Sequence, residues 1–230
     1  MAGMLKRFYD DRSIVDPPRP YAGVSLRDRH KKKNRKLEIP VSWIEEKGLV
    51  PGAFDGLNAE ARDILLISME TGCRQSEIHD LPPGSIVLDA EIPHIVIANV
   101  EGKDGQTGRE VKNAHSVRKV PLMGIALAAA QRHPDGFPRY RDSRSYSNTM
   151  NKFLRENGLM PSPKHTVGGL RHTWESRFKA IGVETDVRGE LMGHSVAQAL
   201  GRPWYGDEMP LLMKLKLMRK VELPVPAHLA

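Results

Sequence analysis

The chain has 230 residues, 40% of them hydrophobic and 27% charged, the size and balance of one globular domain with an appendage. Its lone cysteine, Cys73, excludes an internal disulfide and any zinc site built from several cysteines, and makes a reducing, cytoplasmic setting the expectation. The net charge of +7 is unevenly placed: residues 1–37 hold 11 Lys or Arg against 4 Asp or Glu, and the remainder holds 24 of each.

Taken from the N-terminus, residues 1–37 read as an irregular basic linker or arm. Asp16-Pro17-Pro18-Arg19-Pro20 blocks helix, and the charge is densest from His30 to Lys36. Lys31, Lys32, Lys33 and Arg35 are candidate DNA contacts, because such a run neutralises phosphates and releases counterions; a solvated tail is the equal alternative. A catalytic domain is expected over residues 38–208, and a terminal helix and tail over 209–230. No apolar run nears the roughly 18 residues that span a bilayer, and no signal-peptide core opens the chain, so no membrane partner is expected.

Asn58 predicts an N-cap for a helix that runs from Ala59 to a stop at Gly72, and another helical turn begins near Arg74. Ser85–Leu88, His94–Val100 and Val117–Val120 read as strands of a small antiparallel sheet. Helices return at roughly 122–132, 145–157, 168–181, 185–192 and 210–221. The expected class is α+β, a mainly helical domain with a small antiparallel sheet inserted early.

Four segments carry the chemistry. They are Thr71-Gly72-Cys73-Arg74-Gln75-Ser76-Glu77-Ile78, then Val111 to Leu122 with Lys112 near its start, Arg118 within it and Val120-Pro121-Leu122 at its end, then Gly169-Leu170-Arg171-His172-Thr173, and finally Leu191-Met192-Gly193-His194 followed by Trp204-Tyr205. Taken singly each is ordinary: an Arg at a helix start, a hairpin Lys, a Gly-His helix cap, a packed Tyr. In order and spacing, over about residues 40–220, they resemble the tyrosine recombinase family, the phage integrases.

The resemblance implies the recombinase catalytic core and five site residues: Arg74, Lys112, Arg171, His194 and the nucleophile Tyr205. A tyrosine that forms a covalent phosphotyrosine keeps the energy of the broken DNA strand for rejoining. Two guanidinium groups clamp the charged phosphate, Lys112 protonates the departing 5′ oxygen, and His194 steadies the phosphate. Neither a cofactor nor a metal is called for. The implied partner is double-stranded DNA, bound by a homotetramer that exchanges the terminal helix and tail, residues 209–230, between protomers, with help from an accessory DNA-bending protein. The implied role is integration or excision of a mobile element, in a bacterial or phage-encoded, nucleoid-associated protein. A type IB topoisomerase-like enzyme and a catalytically impaired DNA-binding relative are the alternatives.

Two positions depart from the family pattern. Gly168 stands where the family has a histidine three residues before the second Arg, with His165 the nearest substitute. Tyr205 follows His194 by 11 residues where nine is usual, and the residue at nine is Pro203. Tyr140 and Tyr146 precede Arg171 and are poor alternatives as nucleophile.

Overall fold

The computed structural model describes residues 8–9, 11–12, 36–99, 116–143, 145–194 and 208–230. Lys31, Lys32, Lys33, Arg35, Lys112 and Tyr205 lie outside them. The chain divides into two units, residues 1–35 and 36–230. In the first, the rings of Phe8 and Tyr9 meet edge to face at 5.6 Å and the Arg12 guanidinium lies 4.6 Å from the Phe8 ring centre.

The second unit opens with a short helix, α1 (Val41–Trp43), that widens into a π-type turn, Ile44–Gly48. Neither was foreseen. The main helix, α2 (Ala59–Thr71), starts where Asn58 accepts a hydrogen bond from the Ala61 amide at 3.0 Å. It ends at Gly72, whose φ of 62° only glycine adopts readily. Ile64, Leu65, Leu66 and Ile67 are all fully buried, so α2 is enclosed on every side and forms the core's axis.

After α3 (Gln75–His79), the chain forms an antiparallel sheet of β1 (Ile86–Val87), β2 (His94–Ile97) and β3 (Arg118–Pro121), in that order. Ile95 pairs with both Ile86 and Val120, and Ile97 pairs with Arg118. β1 and β2 are shorter than the sequence suggested, β1 losing Ser85 to the turn from Pro82 and β2 ending at Ile97, while β3 keeps its length and shifts by one residue.

The remaining helices are α4 (Gly124–Gln131), α5 (Tyr146–Glu156), α6 (Leu170–Ala180), α7 (Thr185–Met192) and α8 (Leu211–Arg219). α4 packs on α2 through Ala126, Ala129 and Ala130, whose small side chains let the two backbones come close. The helix expected from residue 168 begins as a tighter 3-10 turn, Val167–Gly169, since two adjacent glycines propagate an α-helix poorly.

Two buried ion networks tie the layers together. Asp63 on α2 takes both oxygens' worth of hydrogen bonds from Arg132, and more from Arg62 and His133. Glu70, at the other end of α2, pairs with Arg177 of α6 at 2.9 Å and accepts the Leu223 amide, which fastens the C-terminal tail. α8 lies on β3 of its own chain, with Lys214, Leu215 and Met218 buried. Among the described residues no helix is long and apolar enough to cross a membrane.

Candidate active site

The end of α2 and the start of α6 build the centre of the site. Trp174 of α6 lies against Gly72 so closely that a Cβ there would come within 2.5 Å of its ring, and the indole N–H donates to the Glu70 carbonyl at 2.8 Å. The turn leading to Arg74 is thereby fixed from two directions. Arg74 precedes α3, and the Glu77 carboxylate reaches back to accept its backbone N–H at 2.8 Å, half of a capping box.

Arg171 enters from the first turn of α6. Its guanidinium donates to the Gly72 carbonyl at 2.7 Å and to the Met192 carbonyl at 2.5 Å. These two carbonyls end α2 and α7, so Arg171 joins the helix ends that carry Arg74 and His194. Each carbonyl sits at a helix C-terminus, where partial negative charge accumulates and a cation is favoured.

His194 follows α7 through a Schellman cap. Gly193 adopts a φ of 64°, its amide bonds to the Glu190 carbonyl at 3.0 Å, and the His194 amide bonds to the Gly189 carbonyl at 2.8 Å. The Gly-His turn is thus a helix cap and also a means of aiming His194 at the arginines. Burial, then the nearby Arg171, Arg74 and Arg118, lowers the imidazole to about 4. At neutral pH it is uncharged and offers one ring N–H.

Glu77 is the hub. Its carboxylate meets Arg74 at 2.5 Å, Arg118 at 2.9 Å and Arg171 at 3.7 Å. Burial alone would raise its pKa, but Arg118, Arg171 and the Arg74 backbone N–H together outweigh burial and hold the group at about 2. Burial, together with Arg74 and Arg118, brings Arg171 down to about 10 against the pull of Glu77, so Arg171 stays cationic at neutral pH.

Arg118 stands in the second sequence segment with no role that its local pattern assigns, and the structure gives it one. It lies buried on β3 and donates to the carbonyls of Leu191 and Ser116 as well as to Glu77. Strand alternation, which sets residues 118 and 120 on one face, was the available signal. A Cβ on Gly193 would lie 2.5 Å from the Arg118 guanidinium, so only glycine both makes the cap and admits the arginine.

Arg74 and Arg171 line one cleft of about 240 Å³, together with Lys36, Gln75, Ser147 and Gly168. His165 is not on its wall. Its ring nitrogens lie 2.8 Å from the Ser162 hydroxyl and 3.1 Å from the Glu38 carbonyl, so it serves as a loop histidine. Tyr140 and Tyr146 are buried, with their hydroxyls bonded to Asn58 and to the Ala61 carbonyl, as unsuited to attack as expected. Of the five expected catalytic residues the structure brings together Arg74, Arg171 and the turn bearing His194.

The Glu208 carboxylate accepts the Lys119 amide at 3.3 Å and pairs with Lys214 at 2.5 Å, while the Met209 amide donates to Glu190 at 2.5 Å. Residues 208–209 are thereby held against β3 and α7.

Neither protein-family models nor curated protein sequences match the chain. Solved structures do. The integrase of the Tn1549 transposon in complex with transposon right end DNA superposes with a TM-score of 0.51 at 15% identity, covering 94% of this chain and 75% of that one. The same integrase in complexes with circular intermediate DNA gives 0.52 at 17% identity and 0.54 at 15%, each covering 92% of this chain and 71% of the other. The chain has the tyrosine recombinase catalytic-domain fold, α+β with a small antiparallel sheet, as its sequence led us to expect.

Proposed function

We propose that this protein is a site-specific DNA recombinase that cuts and rejoins strands through a 3′-phosphotyrosine, with Tyr205 as nucleophile. The observation that carries this reading is the convergence of Arg74 and Arg171 on one cleft, each fixed through backbone carbonyls or a helix cap. Guanidinium groups preorganised in this way suit a phosphate whose non-bridging oxygens gain charge during attack.

In the proposed step, the Tyr205 phenol gives up its proton to water as its oxygen forms a bond to phosphorus and the bond from phosphorus to the 5′ oxygen breaks. Lys112 delivers a proton to that leaving oxygen, and neutral His194 donates its ring N–H to a non-bridging oxygen. Reversal by a new 5′ hydroxyl rejoins the strand without an external energy source. Glu77 holds the arginines together and aimed before DNA arrives, because uncompensated cations in a half-buried cleft would repel.

The partner we assign is double-stranded DNA, held by four copies of the chain with an accessory DNA-bending protein, in a bacterial or phage-encoded system that moves a mobile element. Residues 1–37 act as the basic arm. α8 exposes Leu212 and Met213, at 52% and 54%, apolar surface through which residues 209–230 would engage a neighbouring protomer. The test is covalent capture from a pool of nicked duplexes with randomised sequence, separated under denaturing conditions. Recovery of a protein–DNA adduct enriched for one sequence supports the reading, and failure to capture any duplex opposes it.

A further inference from the structure

Lys36 ends the basic run, and it lines the same cleft as Arg74 and Arg171. It extends across Gly168: a Cβ built on that glycine would lie 2.5 Å from the Lys36 Nζ and 3.0 Å from its Cδ. The next glycine is equally committed, since a Cβ on Gly169 would lie 2.2 Å from the Leu37 carbonyl oxygen. Two glycines thus open the channel through which residues 36–37 approach.

The segment is fastened as it leaves. The Ile39 amide donates to the Thr173 hydroxyl at 2.9 Å, and that hydroxyl donates to the Ile39 carbonyl at 2.7 Å. Ile39 is buried against the core. The backbone on the C-terminal side of Lys36 is therefore set by α6, the helix that also carries Arg171.

Among the described residues no carboxylate pairs with Lys36, whereas Arg74 and Arg171 both share Glu77. One carboxylate facing three cations in a cleft leaves an excess of positive charge, a condition that an oxyanion relieves. We propose that Lys36 is a third cationic ligand of the phosphate bound between Arg74 and Arg171, admitted to that place by the absence of a side chain at position 168. The ligand class is a phosphate monoester or diester; the identification of that phosphate as the scissile one rests on the recombinase reading above.

Two measurements test it. The first follows the Arg74 and Arg171 side-chain N–H signals by NMR during titration with inorganic phosphate, in wild type and in Lys36→Ala, Lys36→Arg and Gly168→Ala. Loss of one charge-assisted contact should weaken phosphate about tenfold in Lys36→Ala, with most of the affinity retained in Lys36→Arg. Gly168→Ala should mimic Lys36→Ala by displacing the ammonium, and the double variant should be no worse than either single one. Lys36 is exposed, so thermal unfolding of Lys36→Ala should match wild type.

The second measures the rate of adduct formation on nicked duplexes, which should fall in parallel. Unchanged phosphate affinity in Lys36→Ala overturns the proposal whatever the adduct assay gives. Additive losses in the double variant overturn the coupling to Gly168. Weakened phosphate binding in a protein whose wild type forms no adduct supports the Lys36 site and opposes the recombinase reading, so the two are told apart.

Discussion

The Arg118 guanidinium and the Glu77 carboxylate meet at 2.9 Å with both side chains almost wholly buried, which ties the third strand to the helix that follows Arg74. Removing the cation leaves the carboxylate without its closest buried partner. Arg118→Met is expected to destabilise the domain by about 3 kcal/mol, within the range for breaking a buried ion pair. Denaturant unfolding checks this, and a double-mutant cycle with Glu77→Leu should show the second change recovering part of the loss. A loss below 1 kcal/mol would show that Arg74 and Arg171 alone suffice for Glu77.

Gly72 is the second structural lever. Alanine there meets a φ of 62° and the Trp174 ring at once, so Gly72→Ala is expected to cost roughly 2–4 kcal/mol from backbone strain and overpacking together. Phosphate binding should weaken as well, because the Gly72 carbonyl positions Arg171. Unfolding and phosphate titration on the same sample separate the two effects.

His194 gives the pH dependence. Its folded value of about 4 lies below the ordinary 6.5, so the folded state resists protonation that the unfolded chain accepts. Stability from this group is fully present above pH 6.5 and is lost progressively as pH falls toward 4. Histidine ring signals followed by NMR should give a midpoint near 4 for His194 in the free protein. Bound phosphate, being negative, should move that midpoint upward; a midpoint that ignores phosphate would remove His194 from the site.

Much of this was legible in the sequence because the signals were local. Asn58, Gly72 and Gly193 act within one turn of their own helices, and each cap is where its residue type predicted. Arg74 and Arg171 were legible as a pair only through the resemblance of ordered segments. Arg118 and Lys36 were not, since what matters for each is a partner far along the chain. The contact between Ile39 and Thr173 that steadies Lys36 spans 134 residues, and no local pattern encodes it. Gly168, read from sequence as a missing side chain, is in the structure a space that Lys36 fills.

The basic run is tested through salt. If Lys31, Lys32, Lys33 and Arg35 all lie on phosphates, replacing the four with Ala should make the slope of log Kobs against log salt shallower by about 3.6. Binding to short duplexes measured across a salt series gives the slope. An unchanged slope assigns the run to solvent.

The measurement that bears most directly on the central claim is the site of covalent attachment. Adducts trapped on nicked duplexes are digested and the DNA-bearing peptide is sequenced by mass spectrometry, with Tyr205→Phe in parallel. The account expects a 3′-phosphate ester on Tyr205 and no adduct from Tyr205→Phe. Attachment at another residue, or an adduct that survives in Tyr205→Phe, would contradict it.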